Sequence, residues 1–143
     1  MAPWVLASGG FHRRGAMDRA NLALAEHLLS EGRDVHLVGH VIDPALAPRR
    51  GVHAYPVRRL GAVAAGELML ERAARRVAAA VRSREPGLHV VVNGGNCAGP
   101  DANWVHSVHH AWPAGDATAP LALRVKREIE GRWFRRRDRK SVV

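Results

Sequence analysis

Apolar residues along this chain fall into two periodicities, and the two take turns. Trp4 to Ala7 is a short apolar run stopped by Ser8-Gly9-Gly10, the mark of a buried strand. Gly9, Gly10 and Gly15 bracket a basic loop, Phe11 to Arg14. Met17, Ala20, Leu24 and Leu28 then recur every three or four residues, which predicts a helix from about Gly15 to Glu31, with Gly32 as its stop. Asp34 to His40 reads as a second strand, ending in a polar residue. A loop with Pro44, Pro48 and Gly51 leads to a weaker third strand, Val52 to Arg58. Pro56 lacks an amide donor, so that strand belongs at or near an edge.

The helical period returns from about Ala65 to Arg84, with Leu70, Ala73, Ala74, Val77 and Val81 on one face, and Glu85-Pro86-Gly87 ends it. Leu88 to Val92 is apolar almost throughout, as central parallel strands are. Ala102 to His109 reads as a fifth strand, and Ala119 to Lys140 as a basic amphipathic helix striped by Leu121, Val125, Ile129 and Trp133. The order β-α-β-β-α-β-β-α predicts an α/β fold, a mostly parallel sheet with helices on both faces. Such sheets bind ligands beyond the carboxyl ends of their strands. Polar residues gather at those ends: Ser8, Gly9 and Gly10 after the first strand, His40 after the second, Asn93 to Asn96 after the fourth, and His109 with His110 after the fifth.

Composition narrows this picture. A chain of 143 residues, 47% hydrophobic, is sized for one domain with a proper core. The single cysteine, Cys97, rules out an internal disulfide framework and suits a reducing compartment. No apolar run approaches the roughly 20 residues that span a bilayer. The N-terminus lacks the basic start and long apolar run of a signal peptide. The net charge is +9, but Leu121 to Val143 holds nine basic and three acidic residues, so six of those charges lie in the last segment. The body is only mildly basic, and a nucleic-acid platform over the whole surface is not expected.

The glycine loop matches neither G-x-G-x-x-G nor G-x-x-x-x-G-K-[ST], which removes dinucleotide and P-loop readings and leaves either a tight turn or a polar-ligand loop. Zinc spacings are absent among the nine histidines. His106 and His109 would also point to opposite faces of a strand. His109 and His110, at a strand's carboxyl end, are placed to bond a hydroxyl or help move a proton, while His106 reads equally as packing. Cys97 is a nucleophile or inert packing. Ser107 is not in G-x-S-x-G, and Asp101 and Asp116 are the only loop carboxylates near these ends, so hydrolysis is disfavoured. Arg132 to Lys140 could hold phosphates or anionic lipid headgroups, or simply form a solvated face.

Three segments carry a family resemblance: Gly15-Ala-Met-Asp-Arg-Ala-Asn-Leu-Ala-Leu-Ala-Glu-His-Leu28, Asp34-Val-His-Leu-Val38 and Asn103-Trp-Val-His-Ser-Val-His-His110. They resemble the N-terminal domain of a family 4 glycosyltransferase of the GT-B fold, over about Trp4 to Lys140. The resemblance implies a Rossmann-like acceptor-side core over residues 1–118. Residues 119–143 would form a basic helix that continues the same domain and is cut short. It implies retaining, sugar-nucleotide-dependent hexosyl transfer without an obligatory metal or other cofactor. A separate domain would bind the sugar nucleotide, so the chain is expected to be inactive alone.

The resemblance also implies site residues. His109 would contact the transferred sugar or the acceptor hydroxyl. Gly9, Gly10, Gly15 and Ala16 would stand by the donor phosphates and the acceptor, and family members usually carry Gly-Gly where this chain has Gly15-Ala16. Asn93, Asn96 and His110 would line the acceptor side. The expected partners are an acceptor sugar or glycoconjugate and a sugar nucleotide. The expected location is cytoplasmic, with peripheral contact to an anionic membrane open. The alternative is a stand-alone nucleotide, sugar or nucleic-acid binding module using the arginine-rich C-terminal helix.

Overall fold

The computed structural model describes residues 1–59, 63–93 and 101–104, together with Arg124 and Glu128. Five strands, β1 (Trp4–Phe11), β2 (Val35–Ile42), β3 (Val52–Pro56), β4 (His89–Asn93) and β5 (Ala102–Trp104), alternate with two helices, α1 (Ala16–Ser30) and α2 (Val63–Arg82). The strands form one sheet in the order β3-β2-β1-β4-β5, and every neighbouring pair is parallel. The protein therefore has a Rossmann-like α/β fold. The chain first winds outward from β1 to β3, then crosses back to β4 on the other side of β1. The switch point lies between β1 and β4, and in such sheets ligands bind beyond the carboxyl ends of the strands there.

Alternation along β1 splits the core in two. Val5 and Ala7 join Val38, Leu70, Ala74, Val81, Val90 and Val92 under α2. Leu6 and Phe11 join Leu22, Ala25, Leu28, Val35 and Leu37 under α1. Successive residues of a strand point to opposite faces. The consecutive buried residues Val5, Leu6 and Ala7 thus show that both faces of β1 are covered.

Most of the expected elements are present within a few residues, and four details differ. β1 continues four residues past Ala7, because Gly10 pairs with Val41 and Phe11 with Ile42. Phe11, expected in an exposed basic loop, is instead a core residue, 1% exposed. Gly39 makes room for it: a Cβ there would lie 3.1 Å from the Phe11 ring and 3.0 Å from the Ser8 carbonyl oxygen. β2 likewise runs beyond His40 to Ile42.

The buried face of α1 is Asn21, Leu22, Ala25 and Leu28, rotated from the expected Met17, Ala20, Leu24 and Leu28. Met17, Ala20 and Leu24 are only half-buried. A polar residue at the centre of the stripe hides it from a hydrophobicity pattern. β3 is an edge strand, as Pro56 required, and the ladder passes over the missing amide by way of Val57 N–H, which donates to the Gly39 carbonyl at 2.8 Å.

Asp101 anchors the start of β5. Its carboxylate accepts the Val90 N–H at 2.7 Å and pairs with Arg82 at 3.5 Å. This loop carboxylate therefore has a structural task. Of the expected C-terminal helix, Arg124 and Glu128 are helical and exposed, and its apolar stripe lies outside the described residues. No helix among the described residues is long and apolar enough to cross a membrane.

Candidate functional site at the switch point

The carboxyl ends of β1 and β4 are joined to α1 by a buried polar network. Asn21, one and a half turns into α1, is 5% exposed. Its Nδ2 donates to Ser8 Oγ at 2.6 Å and to the Gly10 carbonyl at 3.2 Å. Its Oδ1 accepts from Asn93 Nδ2 at 2.9 Å. Both amide protons of Asn21 are used, so its orientation is set. Ser8 and Asn93 are buried as well. Burying three polar side chains is tolerated because they satisfy one another. One strand end, its neighbour across the switch point and the intervening helix are thereby held in a single geometry.

Beside the network lies a small cavity lined by apolar side chains with Ser8, Asn21 and Asn93. Its ≈ 10 Å³ is room for at most one water molecule, so no organic ligand enters here. Outside it, at the same end of the sheet, lies the β1–α1 connection.

That connection is shaped by two glycines. Gly15, the residue before α1, has φ 78° and ψ 149°, a region open essentially to glycine alone. Its carbonyl accepts the first helical bond, from Arg19 N–H at 3.2 Å. Gly10 is buried, and a Cβ there would lie 2.6 Å from Asp18 Oδ1 and 2.8 Å from His12 Nε2. The two side chains therefore converge directly over the Gly10 backbone. His12 Nε2 and Asp18 Oδ2 are 3.6 Å apart, and both side chains remain partly exposed. His12 Nδ1 accepts the Arg14 N–H at 3.1 Å. Arg13 and Arg14 are exposed on the loop.

The expected site residues divide into those gathered here and those elsewhere. Asn93 is part of the network, the Gly10 carbonyl accepts one of its bonds, and Gly15 starts the helix that carries Asn21. Gly9 is exposed on β1 with open space where a side chain would be. Ala16 is exposed as the first residue of α1. His40 does not join them: its Nδ1–H donates to the Val57 carbonyl at 2.9 Å, and its ring faces Gly66 of α2. Asn96, Cys97, His109 and His110 lie outside the described residues. Sequence reasoning missed Asn21, His12 and Asp18. A polar residue inside an apolar helical stripe was the available signal for Asn21. A donor and an acceptor flanking the glycine loop was the signal for the other two.

A second polar cluster sits toward the β3 edge. His36 of β2 stacks on His53 of β3, with ring centres 4.4 Å apart, and shares a hydrogen bond of 3.1 Å with the Tyr55 hydroxyl. Burial holds the His36 pKa below its ordinary value and the His53 charge lowers it further, while Asp34 acts in the opposite sense. Among the described residues, no group of three or more His, Cys, Asp or Glu side chains is arranged to hold a metal ion. No family model, curated protein or solved structure matches this chain, so the fold and the site geometry carry the functional reading.

Proposed function

We propose that this chain is the Rossmann-like, acceptor-side domain of a retaining, sugar-nucleotide-dependent glycosyltransferase of the GT-B type. In this reading, transfer needs a second domain to grip the nucleotide. The observation that carries the reading is the buried polar network that fixes the switch point. Ser8, Asn21 and Asn93 fasten the carboxyl ends of β1 and β4 to α1, and the Gly10–Gly15 connection carries the partly exposed His12 and the exposed Arg13 and Arg14 beside them. The network itself is buried and satisfied, so it holds the strand ends rigid, and the polar groups left for a neutral, hydroxyl-rich ligand are those of the β1–α1 connection beside it. The local resemblance from Gly15 to Leu28 and from Asn103 to His110 supports the same assignment. The expected His109 contact with the transferred sugar belongs to this proposal.

The test measures sugar binding and turnover on the same chain. Saturation-transfer NMR should detect weak binding of simple methyl glycosides, little altered by salt. Mass spectrometry should detect no sugar transfer from nucleotide donors by the chain alone. Robust transfer by the chain alone would refute the division of labour. Nucleic-acid binding that falls steeply with salt, with no glycoside binding, would favour the arginine-rich binding module instead.

A further inference from the structure

We propose that His12 and Asp18 form a hydroxyl clamp over Gly10, taking one hydroxyl of a neutral sugar acceptor between the imidazole Nε2–H and the carboxylate. This rests on the reading of the chain as an acceptor-binding domain and adds two residues that the reading did not include.

The geometry makes the pair a matched donor and acceptor. The Arg14 N–H donates to His12 Nδ1, so the neutral ring carries its proton on Nε2. His12 Nε2 stands 3.6 Å from Asp18 Oδ2, longer than a hydrogen bond. Among the described residues neither the Asp18 carboxylate nor His12 Nε2 has a hydrogen-bond partner. An oxygen about 2.8 Å from each atom would bridge the two. It must accept from the imidazole and donate to the carboxylate. A hydroxyl does both, whereas a carbonyl or phosphate oxygen cannot donate. The carboxylate also repels anions, so the clamp selects a neutral hydroxyl despite Arg13 and Arg14 nearby. A sugar hydroxyl that displaces water from such a pair does so at little loss of hydrogen bonding.

The clamp's position matches that role. Gly10 is at the carboxyl end of the central strand, and the Asn21 amide holds its carbonyl in place. Because any Cβ at Gly10 would collide with both side chains, glycine there lets the clamp settle onto the backbone. Asp18 is in the first turn of α1, where the helix dipole stabilises its charge. The acceptor group is therefore carried on a fixed element before a ligand arrives.

The experiment follows the Gly10 and Asp18 amides of the ¹⁵N-labelled chain while methyl α-D-mannopyranoside and its four monodeoxy analogues are titrated in. One analogue, lacking the clamped hydroxyl, should bind about tenfold more weakly than the parent, the contribution of one charge-assisted hydrogen bond. In Asp18→Asn and in His12→Ala, that analogue and the parent should bind alike, while amide spectra confirm the native fold. A purely structural role for the pair would change stability without erasing this discrimination. If the parent sugar binds the native chain and both variants equally, the clamp is refuted and the acceptor-domain reading stands. If no glycoside binds the native chain at any attainable concentration, both are refuted.

Discussion

Replacing Asn21 with alanine tests whether the network at the switch point stabilises the fold. The side chain is 5% exposed and makes three hydrogen bonds, to Ser8, Gly10 and Asn93. Truncation deprives the Gly10 carbonyl and one Asn93 N–H of their partner in a buried setting, while the Ser8 hydroxyl can turn elsewhere. At about 1–2 kcal/mol for each deprived group, the loss is about 2–4 kcal/mol. The adjoining ≈ 10 Å³ cavity would enlarge and could admit water, so the lower part of that range is expected. Urea unfolding, followed by tryptophan fluorescence, measures the change as a lower midpoint with an unaltered slope. A cycle with Asn93→Ala separates the Asn21–Asn93 contact from the rest. The double variant should be less destabilised than the sum of the single ones by about 0.5–2 kcal/mol. A loss under about 0.5 kcal/mol for Asn21→Ala, with additive single effects, would refute the view that this network holds the strand ends together.

Three further outcomes follow from the same geometry. Gly15→Ala forces a side chain into a backbone conformation with φ 78°, so thermal or urea unfolding should show a loss of about 1–3 kcal/mol. Gly9→Ala, where a Cβ meets nothing within 4 Å, should be close to neutral in the same assay. The lowered pKa of His36 means that the unfolded chain binds more protons than the folded one. The resulting stability is fully present above the ordinary value of about 6.5 and is lost as pH falls from there through the lowered folded pKa. The difference in urea midpoint between the native chain and His36→Phe should therefore shift against the native chain between neutral and mildly acidic pH. A pH-independent difference would count against the burial of a neutral His36.

Much of this fold is legible in the amino-acid order because it depends on local periodicity. Trp4 to Ala7 and Leu88 to Val92 read as buried strands without any tertiary information, since parallel strands covered on both faces lose their polar alternation. Pro56 marked the edge strand because a missing amide is a local property. The stripe of α2 was equally plain: Leu70, Ala74 and Val81 are buried, with Ala73 and Val77 partly buried beside them. Gly10 and Gly15 were visible as special positions through their spacing alone, and Asn93 as a polar residue ending an apolar run.

Tertiary structure decided what those residues touch. Asn21 looked like a polar interruption of a helix. It is the centre of a network because β1 and β4, far apart in sequence, become neighbours across the switch point. Phe11 looked like part of a basic loop. It is core because pairing with β2 continues two residues past Gly9 and Gly39 leaves space for the ring. Asp101 looked like a loop carboxylate open to chemistry, and it is consumed by Val90 and Arg82. His40 and Ser8, alike in the sequence as polar strand ends, part company: one turns to β3 and α2, the other to α1. The pairing of His12 with Asp18 over Gly10 likewise depends on the turn imposed by Gly15. Periodicity encodes which face of an element is apolar. Only closure of the sheet brings the polar ends together, because the hydrogen bonds that join them span up to 72 positions in the chain.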